Sequence, residues 1–76
     1  MENIGKTILK RRKEIALTQQ ELADLSGVGI NTLVALERGK GNPSIRTLSK
    51  IADVIGFELR LEFKPIPAWE KKRMSE

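Results

Sequence analysis

Residues 18–39, TQQELADLSGVGINTLVALERG, decide the fold, because they place two short helices and one fixed turn in a spacing that local chemistry explains. Thr18 and Glu21 have the S/T-x-x-E form of a capping box, in which the Thr hydroxyl accepts from the Glu21 amide while the Glu carboxylate accepts from the Thr18 amide. A helix therefore starts here. Leu22, Ala23 and Leu25 are expected to supply its buried side. Gly27 stands where a helix ends by turning left-handed, which a residue without Cβ does at little cost. The next helix begins near Gly29, takes its inward face from Leu33 and Leu36 with Val28 from the turn, and stops at Gly39. Two helices joined by so short a turn must cross steeply. The outer face of the second is thereby left free to enter a groove.

Outward from this stretch, residues of about 3 to 14 read as a first helix, with Ile4 and Ile8 one turn apart and Ile15 closing the group. Lys6, Lys10, Arg11 and Lys13 crowd its other sides, either as a solvated face or as phosphate contacts. After Gly39 the loop KGNPS (40–44) leads through the N-cap Ser44 into a further helix. Ile45, Leu48, Ile51, Ala52 and Ile55 form a continuous core stripe on it, and Gly56 ends it. The period then changes. Phe57, Leu59, Leu61 and Phe63 alternate with Glu58, Arg60, Glu62 and Lys64, the pattern of a strand with one buried face, and Pro65 and Pro67 stop it. The expected organisation is a helical domain over 1–56, a strand over 57–64 and a flexible tail over 65–76.

A lone amphipathic strand is satisfied by the same strand of a second chain, antiparallel in a two-fold dimer. A pairing centred on Leu61 opposes Glu58 to Lys64, Arg60 to Glu62 and Leu59 to Phe63, whereas neighbouring registers stack like charges. Dimerisation is therefore assigned to Phe57, Leu59, Arg60, Leu61, Glu62 and Phe63.

Composition narrows the function classes. The chain has 76 residues, no Cys and no His, so it lacks thiolate and imidazole metal ligands and the usual general base. Asp24 and Asp53 are its only aspartates and fall in separate helices. Neither an enzyme, a metal site nor a cofactor is expected. The net charge of +4 suits a polyanionic partner. Apolar runs are too short for a signal peptide or membrane span, so a cytoplasmic, nucleoid-associated location is expected.

LTQQELADLSGV…TL…LERGKGNPS closely resembles the xenobiotic-response-element family, the Cro and phage-repressor type of DNA-binding domain, over residues of about 4 to 56. Thr18-Gln19, Glu21-Leu22-Ala23, Gly27-Val28, Glu37-Arg38-Gly39 and Asn42-Pro43-Ser44 fall in the family's order and spacing. The resemblance implies a mostly α, lambda-repressor-like domain of four helices. FELRLEFK stands where the five-helix phage repressors have a last helix, and in that respect the chain looks like the HipB-type antitoxins that partner HipA-type kinase toxins.

The resemblance further implies a role for particular residues. Ile30, Asn31, Thr32, Val34 and Ala35 match positions that face bases, and Asn31 has the donor and acceptor to pair with adenine. Thr18, Gln19, Arg38, Lys40 and Asn42 are the expected contacts to the DNA backbone. Arg12 matches an arginine that pairs with the glutamate matching Glu37, a bond that a guanidinium fork makes in parallel. The implied function is a homodimeric repressor of a palindromic operator in double-stranded DNA, and the antitoxin of a HipA/HipB-type pair, with Trp69 a candidate contact to the kinase toxin. A stand-alone regulator and a protein-bridging module of the same fold are the alternatives. Gly29 departs from the Ser or Thr common at the corresponding cap.

Overall fold

The computed structural model describes residues 2–60, 62, 65 and 67–69, with Glu2 and Asn3 described by backbone alone. Four helices make up the described fold: α1 Glu2–Glu14, α2 Gln19–Ser26, α3 Ile30–Glu37 and α4 Ile45–Ile55.

The local signals act as their chemistry requires. The Glu21 amide donates to Thr18 Oγ1 at 3.0 Å and the Thr18 amide to Glu21 Oε1 at 2.9 Å, closing the capping box at the head of α2. Gly27 is left-handed at φ 73°, and the amides of Gly27 and Val28 both return to the Ala23 carbonyl. Ser26 completes the turn. Its hydroxyl donates to the Leu22 carbonyl at 2.7 Å and accepts from the Val28 amide at 3.3 Å, so it bonds both sides of the corner. Gly39, at φ 76°, ends α3 through Gly39 N–H to Leu36 O and Lys40 N–H to Ala35 O, the double bond pattern of a Schellman turn. Ser44 caps α4 by accepting the Thr47 amide at 3.1 Å.

One core joins all four helices: Ile8 from α1, Leu22 and Ala23 from α2, Val28 from the corner, Leu33 and Leu36 from α3, and Leu48, Ile51 and Ile55 from α4. Two expected core residues lie outside it. Leu25 is 64% exposed, because at about 100° per residue it stands some 60° round from Leu22 on the side away from Ala23. Ile45 is 70% exposed although its angular position fits the stripe. It is the first residue of α4, and helical side chains lean toward the N-terminus, which carries this one past the start of the helix and off the core.

α1 approaches α3 closely at Gly5. A Cβ there would run into the Leu36 carbonyl oxygen. The first helix thus lies backbone to backbone against the inner side of α3, behind the face that the corner leaves open.

Among the described residues none forms a strand. Residues 57–60 carry neither helix nor ladder in the single chain, since a ladder needs a second strand, while Leu61, Phe63 and Lys64 lie outside the described residues. The alternation is nonetheless visible: Phe57 and Leu59 line a small apolar cavity with Ile8 of α1 and Leu48 of α4, while Glu58 and Arg60 stand in water and bond each other at 2.8 Å.

Candidate nucleic-acid interface

The outer side of α3 is built by subtraction. Leu33, Leu36 and Glu37 turn inward, which leaves Asn31 and Thr32 exposed and Ala35 half-buried on the opposite side. The loop after α3 folds back beside them. Gly41 is left-handed at φ 81°, and a Cβ on it would come to 4.0 Å from the Ala35 methyl. Asn31, Thr32 and Ala35 therefore share one open cleft of about 400 Å³ with Lys40, Gly41 and Asn42. Three expected base contacts and two expected backbone contacts are brought together there. Gly41 was not among the expected site residues; its position two residues after the helix-ending Gly39 is the signal the sequence offers.

Other expected contacts are placed differently. Ile30 is half-buried and packs on the core, and Val34 is half-buried, so the open face is less apolar than their side chains suggest. Arg38 is exposed at the C-cap of α3. The Thr18 hydroxyl already accepts the Glu21 amide, which leaves it a proton to donate. Gln19 is half-buried, and its Nε2 donates to Glu37 Oε1 at 2.9 Å. That amide is directed into the fold, toward the ion pair behind the open face.

The ion pair itself has the expected partners. Arg12 Nε donates to Glu37 Oε2 at 2.8 Å and Arg12 Nη2 to Glu37 Oε1 at 2.9 Å, with both residues buried, at 7% and 6% exposure. The third guanidinium nitrogen donates to the Leu17 carbonyl at 2.8 Å. Ala16 makes this possible by taking a left-handed φ of 58°, turning the chain so that the next carbonyl faces Arg12. The bond to Glu37 raises the Arg12 pKa above the ordinary arginine value, against the opposing effect of burial, so the guanidinium stays charged. Among the described residues no fully buried side-chain nitrogen or oxygen is left without a partner. Gln19 was not foreseen as a member, and nothing in the spacing of 19 and 37 marks it.

Of the basic residues on α1, Lys6, Lys10 and Lys13 are exposed, whereas Arg11 turns inward to α4. Among the described residues no group of His, Cys, Asp and Glu is arranged to hold a metal ion, and no helix is long and apolar enough to cross a membrane.

A capped helix, a glycine corner and a second helix with one side in the core and one side open define a helix-turn-helix domain. The chain belongs to the Helix-turn-helix family, whose profile matches residues 8–61. An uncharacterized HTH-type transcriptional regulator of Methanothermobacter thermautotrophicus is 45% identical over 51 residues, 67% of this chain and 74% of the relative. The fold is similar to the N-terminal DNA binding domain of SinR from Bacillus subtilis, with a TM-score of 0.73 and 36% identity over 76% of this chain and 86% of that one. SinR in complex with DNA matches with a TM-score of 0.68 and 38% identity, covering 72% of this chain and 89% of that one.

Proposed function

We propose that this chain is a sequence-specific DNA-binding transcriptional regulator that represses by occupying an operator. The observation that carries the reading is the cleft in which Asn31, Thr32 and Ala35 stand beside Lys40 and Asn42. A helix with its N-terminal half open to base edges and a cation at its far end is equipped to read a major groove while bonding the phosphates that border it. Asn31 and Thr32 are the base readers, and Ala35 covers a thymine methyl. Ile30 and Val34 contribute at the edge of the same contact. Lys40, Asn42, Arg38 and Thr18 hold the backbone. Gln19 contributes there through its main-chain amide, its side chain being bonded to Glu37.

The finer reading is a homodimer on a palindromic operator, with residues 1–56 as the DNA-binding domain, 57–64 as the dimer strand and 65–76 as a tail. It is supported by the half-open apolar side of Phe57 and Leu59 and by the opposite, charged side of Glu58 and Arg60. The narrowest reading makes the chain the cytoplasmic, nucleoid-associated antitoxin of a HipA/HipB-type pair. Its support is the alternating sequence FELRLEFK (57–64) after Gly56, and it assigns the exposed Trp69 to the kinase partner. A stand-alone regulator would have no kinase-like reading frame beside its own.

Footprinting on the duplex that the chain selects from a random pool tests the reading. Two protected half-sites related by a dyad and about 34 Å apart are expected. A single unsymmetrical half-site would reject the dimer, and failure to be retained on duplex DNA even at low salt would reject DNA binding itself.

A further inference from the structure

Several observations meet at the end of α4. Gly56 is left-handed at φ 79°, and the Phe57 amide closes onto the Ala52 carbonyl at 2.9 Å. The Ile55 carbonyl, one of those a helix end leaves without an intrahelical donor, accepts Arg11 Nε from α1 at 2.9 Å. The same guanidinium lies 5.9 Å from the centroid of the Phe57 ring. It also stands 3.5 Å from where a Gly56 Cβ would be, and its outer nitrogen is 3.5 Å from Glu14. Beyond it Phe57 and Leu59 line an apolar cavity of about 40 Å³ with Ile4, Ile8, Leu48 and Ile55.

A left-handed glycine ends a helix but leaves the next residues with soft dihedrals, so it does not by itself aim the segment that follows. Arg11 supplies the missing restraint. A guanidinium donates in its plane and attracts a ring over its face, so one planar group can hold the last carbonyl of α4 and the first side chain beyond it at once. An ammonium has no such pair of perpendicular surfaces. The two restraints lie on either side of the hinge at Gly56.

We infer that Arg11 is a positioning residue that aims the segment beginning at Phe57 as it leaves α4, and through it sets the spacing of the two α3 helices. The second half rests on the reading of 57–64 as a dimer strand. The leverage is large: eight extended residues span about 26 Å, so a swing of about 20° at Gly56 moves the far end by about 9 Å. That exceeds what two helices in register on one duplex tolerate.

The absence of cysteine allows a clean measurement on the full chain. Spin labels at Lys6→Cys and Pro65→Cys, diluted with unlabelled chain, report the distance from α1 to the end of the segment within one protomer. A narrow distribution is expected with Arg11 in place, a broad one with Arg11→Met, and an intermediate one with Arg11→Lys. Lys10→Met, which removes the same charge from a neighbouring exposed position, should leave it narrow. On duplex selected by the unmutated chain, Arg11→Met should weaken binding by about tenfold or more through lost two-site engagement. On random duplex it should match Lys10→Met.

A narrow distribution in Arg11→Met overturns the inference whatever the oligomeric state. A monomeric parent chain rejects the dimer reading while the label distances still decide the aiming role. Broadening without loss on the selected duplex rejects the link to spacing alone. If Arg11→Met fails to fold, Arg11→Lys and Phe57→Leu carry the test, and an unbroadened distribution in both overturns it.

Discussion

Arg12 of α1 and Glu37 of α3 are joined by two parallel bonds of 2.8 and 2.9 Å inside the fold, and Gln19 of α2 adds a third to the same carboxylate. The pair therefore ties the inner end of α3 to both preceding helices. A buried ion pair adds little net stability over apolar residues, but removing one member leaves an uncompensated charge and costs about 3 to 5 kcal/mol. A domain of this size has about that much in total. Arg12→Met and Glu37→Leu should each leave the chain largely unfolded at room temperature, while the double variant should fold. Urea titration followed by circular dichroism checks this, and a double variant no more stable than either single one would contradict it.

Two backbone positions should respond in opposite directions. Gly5→Ala places a methyl against the Leu36 carbonyl and should cost about 1 to 3 kcal/mol by forcing α1 away from α3. Ala16→Gly removes the strain of a left-handed alanine and should add up to about 1 kcal/mol. The shift in denaturant midpoint, at unchanged slope, is the measurement.

The capping box predicts a pH dependence. The Thr18 main-chain bond, with a smaller contribution from the Thr18 side chain, holds the Glu21 carboxyl below its ordinary 4.5. A pKa depressed by folding means that the unfolded chain binds the proton more readily. The contribution of Glu21 is then complete above pH 4.5 and is lost as pH falls through the lower, folded value. Glu21→Gln should flatten the acid limb of the stability curve relative to the parent.

Base reading and backbone holding separate by their specificity. Asn31→Ala should cost about 1 to 3 kcal/mol on the selected duplex and little on random duplex. Lys40→Gln should weaken both alike and reduce the slope of log K against log salt by about one. Equal losses for Asn31→Ala on both duplexes would make Asn31 a backbone contact.

The dimer register has its own test. Arg60→Glu should loosen the dimer and operator binding together, and adding Glu62→Arg should restore both, because the two charges face each other in a pairing centred on Leu61. Sedimentation equilibrium on the single and double variants decides it. A double variant as weak as the single one means the strands pair otherwise.

What this sequence determined by itself is local chemistry. Caps, left-handed glycines and the three-and-four spacing of Leu33, Leu36, Leu48, Ile51 and Ile55 act over a few residues, so the helix boundaries and most of the core were legible from neighbours in the chain. Arg12 with Glu37 was legible through resemblance alone. Tertiary structure decided the rest, because those contacts join residues far apart in sequence. It exposed Leu25 and Ile45, turned Ile30 onto the core, drew Gln19 to Glu37 and Arg11 to Ile55, and set Gly5 against Leu36. Hydrophobic periodicity says that a helix has an inner side. How far round that side extends, and whether its first turn reaches a neighbour, depends on where the other helices lie, and no window along a single helix contains that information.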